Sequence, residues 1–292
     1  MPIRPSPTRL MAGPLGRTAQ RAIVGRVRAL FNDTARGQTP VVRSDAALYP
    51  PDSIAWRVHG DVTTMMVGGV AALLLQMLHP AVLGGVWDHS EFREDMLGRL
   101  RRTARFMAVT TFAARGEAEA AIARVRTIHD GIRGTLPDGT VYGAGDPRLL
   151  AWVHVAGATS FLDGWIRYGE PRMSIADQDR YFAEAALVAA ALGADPIPTT
   201  RREAMLLIEA MRPGLVSNER SREVARLVLA PRTGNPGAAA IQAAVFQSAV
   251  DLLPDWARRM HGLKASGFSR PLIHAGTFGL AETLRWAFRA PD

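Results

Sequence analysis

Apolar positions recur every three to four residues along most of the chain, and alternation of period two is scarce. The most apolar run is residues 62–87, "VTTMMVGGVAALLLQMLHPAVLGGVW". A membrane span needs ~20 mostly apolar residues. This run is interrupted by Thr63, Thr64, Gly68, Gly69, Gln76, His79 and Pro80. Proline removes a backbone donor and clashes with the turn before it, so the helix is expected to break or kink at His79–Pro80. The pattern therefore predicts a buried central helix at 61–79, apolar on most faces.

Further helices are predicted near 18–31, 91–113, 117–134, 146–168, 174–192, 199–211, 219–229, 236–252, 254–263 and 270–288. Turn signals lie between them, in "LPDGT" (136–140), "YGAGDP" (142–147) and "APRTGNPG" (230–237). Asp146 before Pro147 reads as a helix start, and Gly193 as a helix end. Only "GTVYGA" hints at a short strand or hairpin. No internal repeat is visible. The expected fold is all-α: one multi-helix domain over 44–292, preceded by an extension over 1–43.

Composition adds exclusions. Hydrophobic residues make up 48% of 292, enough for a sizeable core and too many for a disordered chain. There is no cysteine, which removes disulfides, thiolate metal sites and cysteine nucleophiles. A transition metal would rely on histidine, carboxylate, tyrosine or methionine. The net charge is +8, and Lys264 is the only lysine. Residues 1–43 hold Arg4, Arg9, Arg17, Arg21, Arg26, Arg28, Arg36 and Arg43 against Asp33 alone, so the rest of the chain is nearly neutral. With no zinc-finger or RNP-like pattern in that neutral body, no nucleic-acid partner is expected.

The basic extension lacks the apolar core of a secretory signal, and a cytoplasmic location is expected. Its segment "TAQRAIVGRVRALF" (18–31) is amphipathic, with Ile23, Val24, Val27, Leu30 and Phe31 able to share a face. Two readings stand side by side: a helix packed on its own body, or a peripheral contact with anionic lipid.

The chain has no HExxH, GxSxG, GxGxxG or P-loop pattern, so standard zinc-protease, hydrolase and nucleotide sites have no support. What remains is polar residues inside very apolar helices. His79 ends the buried run, and Asp88, His89 and Glu91 follow it. Arg99, Arg102 and Thr103 share one face of the next helix. Arg126, His129 and Arg133 follow at helical spacing, and His154 lies in "LLAWVHVAGATSF". A lone histidine in an apolar helix is ordinarily structural, bonded to backbone or side chains. Several together, beside arginines, also suit a haem: histidine meets the iron and cations meet the propionates. A non-haem iron held by His79, His89 and a carboxylate has the right residue types but no spacing signature.

The ordered series "LLLQMLHP", "WDHSEF", "GRLRRTARF", "VRTIHDGIRG", "DGTVYGAGDP" and "LLAWVHVAG" resembles the DUF2236 family, which includes latex-clearing rubber oxygenases and MpaB-type oxygenases. The resemblance spans about residues 55–215. It implies a helical, globin-like core holding haem b, and oxygen-dependent attack on an unsaturated apolar substrate, isoprenoid- or lipid-like. On that resemblance Arg99, Arg102 and Thr103 match a distal Arg-x-x-Lys-Thr motif, with arginine in the lysine place. His129 matches the proximal iron ligand and His154 is the second candidate. Arg126, Arg133 and His79 complete the expected cofactor-binding set. The family's distal glutamate has no confident counterpart here. Met65, Met66, Leu74, Met77, Phe106 and Met107 are candidate pocket lining. The rival reading is a cofactor-free helical protein that binds a lipid or a partner.

Overall fold

A computed structural model describes residues 17–18, 20–25, 37–230 and 236–288. The helices are α1 (Ile54–His59), α2 (Val62–Gln76), α3 (Pro80–His89), α4 (Met96–Phe112), α5 (Arg115–Asp130), α6 (Pro147–Tyr168), α7 (Ile175–Leu192), α8 (Arg201–Met211), α9 (Glu219–Leu229), α10 (Pro236–Leu252), α11 (Asp255–Met260) and α12 (Arg270–Phe288). Between α5 and α6 a hairpin pairs β1 (Arg133–Thr135) antiparallel with β2 (Val141–Gly143), Gly134 opposite Tyr142. This is the hint in "GTVYGA" realised, and the protein is all-α apart from it.

The architecture is built on the α2–α6 pair. The two helices press their backbones together because glycines stand where side chains would collide. A Cβ on Gly68 would lie 2.8 Å from Phe161 Cα, and one on Gly164 would lie 2.9 Å from the Thr64 carbonyl. Around this contact Val67, Leu74, Leu75, Leu78, Val155 and Leu162 are almost fully buried. α10 and α12 cover one side of α2, while α7 and α8 cover α6. α6 is the one described helix long and apolar enough to cross a membrane, but most of it is buried within the protein. It is a core helix, hydrophobic because it is enclosed.

Local chemistry sets the boundaries. Pro80 stands at the first position of α3, and the axes of α2 and α3 differ by 103°. The expected break at His79–Pro80 is thus a sharp bend, and α3 after it was not foreseen as a separate helix. α1 was also unforeseen, since no helix was expected between 31 and 61; Ser53 caps it by accepting from Trp56 N. The helix expected over 91–113 starts only at Met96, because Asp95 accepts from Gly98 N at 2.7 Å and fixes the N-cap. The one expected over 117–134 ends at Asp130, where the chain turns into β1. The one expected over 254–263 is a helix only from Asp255 to Met260.

Of the amphipathic segment 18–31, residues 18 and 20–25 are described and helical, and 19 and 26–31 lie outside the described residues. Ile23 and Val24 are half-buried. Gln20 Nε2 donates to the Trp286 carbonyl at 3.2 Å, which ties this segment to α12. α12 is itself anchored by Arg285. Its Nε donates to Asp61 Oδ2 at 2.6 Å and its Nη2 to the Tyr168 carbonyl at 2.9 Å, joining α12 to the start of α2 and the end of α6.

Candidate active site

α4 and α5 form an antiparallel hairpin joined at Ala113 and Ala114. The hairpin packs on α1 and α7 but not closely on α2 or α6. Its closest partners are thus α1 and α7 rather than the central pair. Arg99 and His129 are about equally far from the hairpin turn, ~20 Å along each helix at ~1.5 Å per residue. They therefore sit level with one another at the same end of the hairpin. On α5, Ala118 and Ile122 are buried and Val125 and His129 half-buried. That spacing puts His129 on the inward face of its helix.

Several contacts bring three helix ends together here. The Asp130 carboxylate lies 3.5 Å from where a Cβ on Gly145 would be, so the end of α5 meets the turn before α6. Asp146, next in the chain, caps α6 by accepting from Arg148 N and Leu149 N, and its charge acts on His79. Gln76 Nε2 donates to the Val153 carbonyl at 2.9 Å, and Trp152 Nε1 donates to the Gln76 carbonyl at 3.2 Å. The His79 and Trp152 rings are 6.3 Å apart. The region where α5 ends, α6 begins and α2 bends into α3 thus holds His79 and His129, with His154 two residues beyond Trp152.

These histidines share an unusual property. His79 Nδ1, His129 Nδ1 and His154 Nε2 are each buried without a hydrogen-bond partner. An unsatisfied buried polar atom costs ~1–3 kcal/mol. Burial lowers the pKa of all three, His154 to about 4; Asp146 and Asp130 oppose the effect at His79 and His129. The shift favours the neutral ring, the form that binds metals. Val153, midway along an otherwise enclosed stretch of α6, is 36% exposed.

The arginines divide into two groups. Arg99 is half-buried and makes no ion pair or hydrogen bond through its guanidinium among the described residues. Burial and then the charge of Arg102 lower its pKa. Arg102 is exposed and paired with Asp95 at 3.4 Å, and Thr103 is exposed with its hydroxyl donating to the Arg99 carbonyl at 3.2 Å. Arg126 donates to the Ala191 carbonyl at the end of α7, at 3.3 Å. Arg133 is exposed on β1, where its carbonyl bonds His89 Nε2 at 3.1 Å. Among the described residues Arg99 is therefore the unpaired cation at the level of His129, while Arg102 and Arg126 are engaged with other partners.

Of the expected lining, Leu74 and Met77 are fully buried core residues, whereas Met65, Met66, Phe106 and Met107 are half-buried. Gln76, Asp130 and Asp146 contribute to the region without having been singled out for it. Gln76 was legible only as an interruption of an apolar run.

Among the described residues no three histidine, aspartate or glutamate side chains converge as metal ligands. A haem iron asks for less: the macrocycle supplies four ligands and the protein one imidazole. Buried histidines with orphaned nitrogens, and an Arg99 with no ion-pair partner among the described residues, fit such a group.

The family model described as "ER-bound oxygenase mpaB/B'/Rubber oxygenase, catalytic domain" matches residues 56–286. No curated protein and no solved structure matches the chain. The matched stretch runs from α1 into α12 and takes in every histidine and arginine of the candidate site. The chain therefore belongs to the mpaB/rubber oxygenase catalytic-domain family, and it is an oxygenase.

Proposed function

We propose that the protein is a haem b-dependent oxygenase acting on an unsaturated apolar substrate of isoprenoid or lipid type. The observation that carries this reading is the set of buried histidine nitrogens without a partner, His79 Nδ1, His129 Nδ1 and His154 Nε2. The bound haem would supply activation of O2, which organic side chains do poorly. His129 would hold the iron, because it lies on the inward face of α5, level with Arg99. His154, on α6, is the alternative holder. Arg99 would meet an anionic edge of the macrocycle, since its guanidinium has no carboxylate partner of its own among the described residues. Met65, Met66, Phe106 and Met107 offer an apolar wall that would exclude water and orient a hydrocarbon chain.

Expression with haem supplementation tests the reading. The purified protein is expected to show a Soret band and close to one iron per chain. A helical, folded protein that takes up neither overturns it.

A further inference from the structure

A second chemical feature lies outside the candidate site. The His59 ring, at the end of α1, is enclosed, and both of its nitrogens are bonded. Nδ1 lies 2.9 Å from Thr111 Oγ1 on α4, and Nε2 lies 2.9 Å from the Tyr181 hydroxyl on α7. Thr111 is 0% and Tyr181 1% exposed. A neutral imidazole has one N–H and one lone pair. The phenol is the stronger acid of the two hydroxyls, so its proton points to the Nε2 lone pair, and Nδ1–H donates to Thr111.

A negative charge stands close by. Glu184, one turn after Tyr181 on α7, accepts from Ala55 N at 2.7 Å and from Arg180 Nε at 2.9 Å. Burial first, and its field after that, hold the hydroxyl protons on Tyr181 and Tyr49. The same field favours loss of an electron from the phenol, because the positive charge created is attracted to the carboxylate. Phe161 and Phe182 pack against the pair, with ring centroids 5.8 Å from His59 and 5.8 Å from Tyr181. Phe161 is on the same face of α6 as His154, two turns on, ~10 Å along the helix.

We propose that Tyr181 is a redox-active tyrosine whose oxidation is coupled to transfer of its hydroxyl proton to Nε2 of His59. One electron leaves the phenol for a one-electron oxidant. The O–H bond breaks, and the proton forms an N–H bond at Nε2, leaving a neutral tyrosyl radical beside an imidazolium. A thiol or ascorbate returns the electron and the proton goes back to oxygen. Burial holds His59 at a pKa of about 4, yet an oxidised phenol is a far stronger acid than an imidazolium, so the transfer runs toward histidine. The pair gives oxidising equivalents a reversible place to go when oxygen is activated with no substrate to receive it. The source of the oxidant, a haem oxidised by peroxide, rests on the proposed function; the pair itself does not.

The test uses the full chain prepared without haem, oxidised by photoexcited tris(bipyridine)ruthenium with persulfate, frozen and read by electron paramagnetic resonance. A neutral tyrosyl signal is expected. It should survive Tyr142→Phe, whose hydroxyl donates to Asp88 instead, and disappear in Tyr181→Phe. His59→Gln keeps hydrogen-bonding capacity but has no basic nitrogen, and should lower the radical yield roughly tenfold or more. Circular dichroism establishes that each variant is folded, and His59→Gln decides the matter should Tyr181→Phe not fold. A signal that persists in Tyr181→Phe, vanishes in Tyr142→Phe or is undiminished in His59→Gln overturns the proposal. Because the oxidant is external and haem is absent, failure here is separate from failure of the haem reading.

Discussion

At the residue scale, this protein is organised by where it puts neutral histidine. His59 and His154 are both held at a pKa of about 4 by burial, from an ordinary value of 6.5. His79, His129 and His261 are displaced in the same direction by the same cause. A histidine with a lowered folded pKa binds fewer protons folded than unfolded, so stability falls as pH falls through that interval. The thermal midpoint is expected to be level above about pH 6.5 and to drop steadily toward pH 4. In His154→Leu, which removes one titrating ring, the acid-side drop should be shallower; a variant with an unchanged acid limb contradicts this account. The sequence carried the histidines plainly but not their states. His89 and His154 look alike in the chain, yet one bonds a carbonyl and the other has a stranded nitrogen. That difference depends on which distant helix arrives beside each ring.

At the element scale, the close approach of α2 and α6 is the main structural event, and it depends on glycine for lack of a side chain. Gly68→Ala and Gly164→Ala each drive a Cβ into the partner backbone, at 2.8 and 2.9 Å. Each is expected to destabilise by ~1–3 kcal/mol, the usual cost of overpacking. Gly116 on α5 has nothing within 4 Å of its Cβ position, so Gly116→Ala should be neutral or slightly stabilising, by up to ~1 kcal/mol. Chemical denaturation of the three variants checks the contrast. Helix periodicity made most of these elements legible, because the apolar stripe and the cap residues are local signals. Where it failed, the signal was tertiary or short. α1 is six residues long and owes its place to a Ser53 cap and burial of Ile54 and Val58. α3 is continuous with α2 in composition and is separated from it only by the bend at Pro80. Nothing in the periodicity of α4 and α5 said that their hairpin would pack on α1 and α7 rather than on the α2–α6 pair.

At the scale of the whole molecule, the orphaned histidines and the family membership point to one use. The ordered motifs from "LLLQMLHP" to "WVHVAG" made the family visible, whereas the arginine roles implied by the resemblance were not separable in the sequence. In the folded chain Arg99 has no ion-pair partner among the described residues and sits level with His129, Arg102 is held by Asp95, and Arg126 bonds the end of α7. Gln20, in the described residues 20–25, bonds the end of α12, and Arg285 ties α12 back to Asp61. The central claim is that His129 holds a haem iron in this framework. It is tested most directly by absorption spectra of haem-supplemented wild type, His129→Ala and His154→Ala, each shown to be folded. The account predicts a histidine-ligated Soret spectrum in wild type and in His154→Ala, and its loss in His129→Ala. An unchanged spectrum in His129→Ala, or its loss in His154→Ala alone, would contradict it.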